Sequence, residues 1–114
     1  MCNSLLKEFR FKIGEQYELN EFNLQTLKST FSNGLEYENY AYIKGDFKTV
    51  LGVPFSSNVI LQYNADILYS VIYEFELSHY SYLKSKVNQC TFKEVTIEVL
   101  NKDKYHCQVV LRSK

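Results

Sequence analysis

The sequence predicts an α+β fold: one domain with a mostly antiparallel, twisted sheet and two helices packed on one side. Apolar residues fall at every second position along most of the chain, whereas helical spacing occurs in only two short stretches. Gly, Asn and Asp turn signals separate the alternating runs at short intervals. The 114 residues contain no linker, repeat or low-complexity stretch, so residues 1–114 are expected to form a single domain.

Taken in order, Phe9-Arg10-Phe11-Lys12-Ile13 alternates apolar with basic residues and stops at Gly14, the pattern of a short half-buried strand. Leu24, Leu27 and Phe31 follow at i, i+3, i+7, one face of a helix expected at about residues 21–32. Asn20 is placed to cap it, Leu19 and Leu24 to staple its first turn, and Asn33-Gly34 to stop it. From Leu35 the period becomes two: Tyr37, Ala41 and Ile43 share one strand face, and Glu36, Glu38, Tyr40, Tyr42 and Lys44 the other. Lys44-Gly45-Asp46 turns the chain and Phe47 to Leu51 returns. Gly52-Val53-Pro54 then breaks pairing, because proline donates no ladder bond.

Asn58 to Tyr63 is the next strand, closed by Asn64-Ala65-Asp66. Ile67, Tyr69, Val71, Tyr73, Phe75 and Leu77 all fall on one face, which marks the central strand of the sheet. Ser78 to Asn88 places Tyr80, Leu83 and Val87 at helical spacing, a second helix. A hairpin ends the chain, with Val95, Ile97 and Val99 facing Tyr105, Cys107, Val109 and Leu111 across the polar turn at Asn101 to Lys104. The expected order is β-α-β-β-β-β-α-β-β.

Thirteen Lys and Arg balance thirteen Asp and Glu. Zero net charge speaks against nucleic-acid binding, which needs an excess of cations to neutralise phosphates. The charge is uneven along the chain, however. From Glu15 to Glu38 five acids face Lys28 alone, a net of −4, and from Lys84 to Lys114 seven bases face three acids, a net of +4. Such polarity steers a charged partner to one end, unless the two regions pair with each other in the fold. No apolar run is long enough for a signal peptide or a membrane span. A cytoplasmic protein is expected, with no membrane association. The alternative is a mature lipoprotein bearing its lipid on Cys2. Three cysteines, Cys2, Cys90 and Cys107, read as idle or buried thiols, although a Cys90–Cys107 bridge is open to the spacing.

No chemistry-bearing motif stands out. His106 and Cys107 are strand neighbours and point to opposite faces, and His79 lies at a strand-to-helix junction. Without a Cys-x-x-Cys or His-x-x-x-His pair, no metal is expected; no cofactor is implied and no catalytic residues are assigned. Glu36/Glu38 and Glu74/Glu76 each place two carboxylates about 6–7 Å apart on a strand face, within glycosidase range, but a solvated row of Glu explains them as well. The remaining anomaly is aromatic: ten Tyr and eight Phe with no Trp. Tyr40 and Tyr42 among Glu36, Glu38 and Lys44 mix aromatic with charged groups, as a protein-binding surface does. Covered by a helix, the same tyrosines would instead be core with polar tips.

The order of elements resembles cystatin-like and other folds that lay a helix on a curved sheet. In size and lack of catalytic motifs the chain is similar to small bacterial immunity proteins, which neutralise a toxin by binding it. Together with the missing catalytic apparatus and the aromatic, charged strand face, the expectation is a non-catalytic protein-binding module with a protein partner, of the toxin-neutralising or inhibitor type, contacted through Tyr40, Tyr42, Glu36, Glu38 and Lys44. Self-association into a homodimer is compatible with it. A second expectation is a small-molecule pocket between helix and sheet, lined by Tyr69, Tyr73 and Phe75. A hydrolase using the Glu pairs or His79 ranks third.

Overall fold

Strand β7 (Ile67–Glu76) organises the fold because it is paired along both sides. Its partners are β6 (Ile60–Asn64) and β9 (His106–Ser113), both antiparallel. The computed structural model describes residues 3–87 and 90–114. The other elements are α1 (Asn3–Leu6), β1 (Leu24–Thr26), β2 (Thr30–Ser32), β3 (Leu35–Tyr42), β4 (Thr49–Val50), β5 (Val53–Pro54), α2 (Tyr80–Val87) and β8 (Val95–Asn101). The main sheet runs β1-β3-β6-β7-β9-β8, with β2 continuing beside β3 where β1 stops, and β4-β5 forms a separate small hairpin. The sheet is open, with β8 at one end and β1 and β2 at the other.

The core lies on one face of this sheet. Tyr40, Tyr42, Leu61, Tyr63, Val71, Tyr73, Phe75, Val109 and Leu111 are buried there, and Leu83 and Val87 of α2 join the same cluster. Leu83 and Val87 are four apart, which puts them on one helix face as the spacing predicts. The Tyr82 hydroxyl donates to the Leu51 carbonyl at 3.2 Å, tying α2 to the β4-β5 turn. The α+β class therefore holds, but with one packed eight-residue helix rather than two.

The expected helix at residues 21–32 is absent. Its span holds a 3-10 turn at Glu21–Asn23 followed by β1 and β2. Leu27 and Phe31, meant for its buried face, are exposed. Asn33 and Gly34 have φ of 53° and 79° and join Ser32 to Leu35 as a two-residue hairpin turn. Asn-Gly with two positive φ angles is the commonest hairpin signal, and here it outweighs three apolar residues at helical spacing. Phe9 to Ile13 forms no ladder either, yet Phe9 and Phe11 are buried and Arg10 and Lys12 exposed, so the alternation predicted the burial correctly. Phe47 to Leu51 pairs only at Thr49–Val50, and Pro54 sits in the two-residue edge strand opposite.

The single inward face expected for β7 is interrupted. Gln62 pairs with Ser70 but Tyr63 with Leu68, so Tyr69 is an extra residue in the ladder. Such a bulge exchanges which side chains face inward. Before it Leu68 is buried and Ile67 exposed; after it Val71, Tyr73 and Phe75 are buried. Where β7 extends beyond β9, residues 14–17 cover its free edge. The Gly14 N–H donates to the Leu68 carbonyl at 2.9 Å, and the Leu68 N–H to the Glu15 carbonyl at 2.8 Å. Cys107 is a free, buried thiol, so no Cys90–Cys107 bridge forms. Cys2 and Asn88 lie outside the described residues.

Gly34→Ala, forced to keep φ near 79°, is expected to lose about 1 kcal/mol or more of stability in urea denaturation. Ala65→Gly should do the reverse, gaining about 0.5–1 kcal/mol, because Ala65 is held at φ 48° in the β6-β7 turn.

Candidate functional site

The aromatic strand face expected to make contact is mostly core. Tyr40 and Tyr42 are 8% and 4% exposed. The reason is that β3 lies inside the sheet, between β6 and the β1/β2 edge, so its even-numbered side chains from Tyr40 onward meet the hydrophobic layer. The Tyr40 ring packs on Tyr17 at 5.2 Å and edge-on to Tyr63 at 5.7 Å. Tyr42 meets Phe11 edge-on at 4.8 Å. The two edge-on contacts have the T-shaped geometry that aromatic quadrupoles favour.

Only the polar tips of these tyrosines reach the rim. The Tyr40 hydroxyl donates to Glu38 Oε2 and the Tyr42 hydroxyl to Asp46 Oδ1, both at 2.9 Å. Arg10 pairs with Asp46 at 2.6 Å and lies over the Phe47 ring at 5.2 Å, while Lys44 stands 4.0 Å from Asp46. Burial and the Glu38 carboxylate hold the Tyr40 phenol well above its ordinary range. Burial and Asp46 likewise raise Tyr42 against the pull of Arg10. Partial desolvation works against the Asp46 carboxylate, but the hydrogen bonds from Tyr42 and the Arg10 charge outweigh it and lower its pKa. Of the five expected contact residues, Glu36, Glu38 and Lys44 are exposed; Glu36 makes no contact with the other four through a hydrogen bond or ion pair in this set.

Exposed aromatics occur instead along the sheet edge formed by the segment that was expected to be helical. Phe22 is 91% and Phe31 74% exposed, and Leu19, Leu27, Leu35 and Ile43 are exposed near them in sequence. β1 and β2 pair in succession with the two halves of β3, so residues 22–32 run along one edge. This is the acidic stretch of the chain. Beside it lies an open groove of 390 Å³ between Glu18, Glu21 and Asp66. The Asn33-Gly34 hairpin signal was the available clue to this surface.

The other constellations remain apart. Tyr73 and Phe75 are fully enclosed, whereas the bulge turns Tyr69 to the opposite sheet face, where its ring meets Tyr37 at 4.9 Å. The three therefore do not line one cavity. Glu74 accepts hydrogen bonds from Lys102 and from Ser57, and Glu76 is exposed. His106 Nδ1 lies 3.0 Å from Asp103 Oδ1. Burial raises the pKa of the Cys107 thiol, which disfavours the thiolate that nucleophilic chemistry requires. Among the described residues no three His, Cys, Asp or Glu side chains converge to hold a metal, and no helix is long and apolar enough to cross a membrane.

The Asp46 network makes stability pH-dependent with a definite sign. Its folded-state pKa lies below the unfolded value, so its contribution is full above about pH 4 and is lost as pH falls through the folded value. Asp46→Asn is expected to flatten the fall in melting temperature between about pH 5 and pH 2, measured by thermal denaturation across that range. Compared with known protein families, curated proteins and solved structures, the chain matches none.

Proposed function

We propose that this chain is a non-catalytic protein-binding module, of the inhibitor or immunity type, that works in the cytoplasm by occupying a protein partner. The observation that carries this reading is the exposure of Phe22 and Phe31 along an edge with a net charge of −4 over residues 15–38. Burying two phenylalanine rings removes a large apolar area from water, at about 25 cal/mol per Å². Isolated exposed apolar residues are ordinary. Several along one short segment, rimmed by carboxylates, have the composition of a contact patch. The surrounding acids steer a basic partner and set orientation, while the rings supply affinity. The contact surface originally expected at Tyr40 and Tyr42 is thereby moved outward to their neighbours. Glu36 pairs directly across from Phe31 and so stays within the proposed patch.

Capture of partners on the immobilised chain tests this, with the wild type compared against Phe22→Ser/Phe31→Ser. The double variant should keep its melting temperature within a few degrees, since neither ring is in the core. It should also lose about 2 kcal/mol or more of binding to the retained protein, measured by calorimetry on the purified pair. Equal binding by the two forms would sink the assignment of this edge. Loss of toxicity when the captured protein is co-expressed with the wild-type chain, but not with the variant, supports the inhibitor reading.

A further inference from the structure

The hairpin that joins β2 to β3 carries a reactive dipeptide. Asn33 and Gly34 form its two-residue turn, and both are exposed. They are the single Asn-Gly pair of the chain; every other asparagine precedes a residue with a side chain. The main-chain nitrogen that follows an asparagine attacks the side-chain amide carbon and closes a five-membered ring. A side chain on the following residue obstructs that approach, and glycine has none.

The fold leaves the ring room to close. A methyl group in place of a Gly34 hydrogen would meet nothing within 4 Å beyond its chain neighbours. Among the described residues no hydrogen bond holds the Asn33 side-chain amide. Asn39 and Asn64 differ: their amides donate to the Lys28 carbonyl at 2.9 Å and the Glu36 carbonyl at 3.1 Å. Ring closure swings the Asn33–Gly34 peptide out of the turn, so the hairpin must open first. β2 has three residues, all exposed, and pairs only with β3 among the described residues. Such an edge opens locally, at far less cost than unfolding the β7 core.

We propose that Asn33 is a self-modification site, converting to aspartate and isoaspartate without an enzyme, and that the isoaspartate form releases β2 from β3. The Gly34 nitrogen bonds to Asn33 Cγ, the bond from Cγ to the amide nitrogen breaks, and ammonia leaves carrying the Gly34 proton. Water then opens the succinimide. Cleavage between Cγ and the ring nitrogen gives aspartate; cleavage at the main-chain carbonyl gives isoaspartate, with the chain routed through Cβ and Cγ. One water enters, one ammonia leaves, and nothing is oxidised.

The two products differ in effect. Aspartate tolerates the left-handed conformation that position 33 holds at φ 53°, and adds one negative charge to the acidic edge. Isoaspartate adds one main-chain atom inside a two-residue turn. The register that sets Ser32 opposite Leu35 and Phe31 opposite Glu36 then no longer closes. The lifetime of Asn33 thereby limits that of the Phe22/Phe31 edge, a consequence that rests on the contact role proposed for the edge, whereas the chemistry does not.

The full chain, aged at neutral to mildly alkaline pH, is digested for mass spectrometry. Residue 33 should gain about 1 Da ahead of every other asparagine, faster as pH rises, because the Gly34 nitrogen attacks in its deprotonated form. An isoaspartyl carboxyl methyltransferase with a labelled methyl donor should mark the aged chain but not Asn33→Gly, whose turn still accepts positive φ. Low urea should leave the rate nearly unchanged, since only the edge opens. Loss of the amide solely in step with global unfolding overturns the inference. Deuterium uptake over residues 30–37 should rise several-fold in the isoaspartate form, and equal uptake overturns the release of β2. Against the protein retained by capture, ageing should weaken binding about tenfold or more in calorimetry. Equal binding of aged and fresh chain, with Phe22→Ser/Phe31→Ser still impaired, overturns the limit on the edge's lifetime and leaves the edge assignment standing. Full binding by that double variant sinks the edge assignment instead, and leaves the Asn33 chemistry supported by the mass and exchange data.

Discussion

The pairing of β7 along both of its sides is the constraint on which the other elements depend. Val71, Tyr73 and Phe75 have no exposed surface, and their directly opposed neighbours Leu111, Val109 and Cys107 are likewise buried. A strand so placed tolerates no slip, because a one-residue shift would turn its entire inward set outward. The extra residue at Tyr69 sets where that inward set begins. Upstream, Leu68 faces Tyr63 and the 14–17 segment; downstream, the strand faces Val109, Cys107 and the layer that α2 covers. Each half of the sheet thus receives its own aromatic packing from one continuous strand.

The two sheet edges are consequences of this arrangement. Because the chain places its first strands and β8 at opposite ends of the order, the acidic third of the sequence and the basic third end up far apart in the sheet rather than neutralising each other. A neutral protein becomes a polar object. One edge is short, acidic and studded with exposed phenylalanine; the other is one long, regular strand.

What could be read from the residues follows the range of the forces involved. The β6-β7 and β8-β9 hairpins were legible because period-two alternation and turn chemistry are local, and so was α2, where Leu83 and Val87 recur at helical spacing. Burial of Phe9 and Phe11 was legible although their strand was not: alternation reports which side chains go inward, while a ladder requires a neighbour that only the fold supplies. The segment at 21–32 failed because Leu24, Leu27 and Phe31 satisfy a helix on paper, while the Asn33-Gly34 turn and the neighbouring β3 offer pairing that a short isolated helix cannot match. The same misreading hid the exposed edge. Tyr40 and Tyr42 were misplaced for a related reason, since a strand face with charges at one end and aromatics at the other is part rim and part core.

The buried phenols have a consequence at the alkaline limit. Burial pushes Tyr63 up to about 12, with Asn20 pulling slightly the other way, and raises Tyr73 further. In the unfolded chain the same groups ionise near pH 10. Their contribution to folding is therefore complete below that value and drains away as pH climbs toward the folded pKa values. With ten tyrosines and no tryptophan, this protein carries an internal optical marker of its own opening. The phenolates of the enclosed Tyr63 and Tyr73 should grow in only together, when the aromatic layer lets water in.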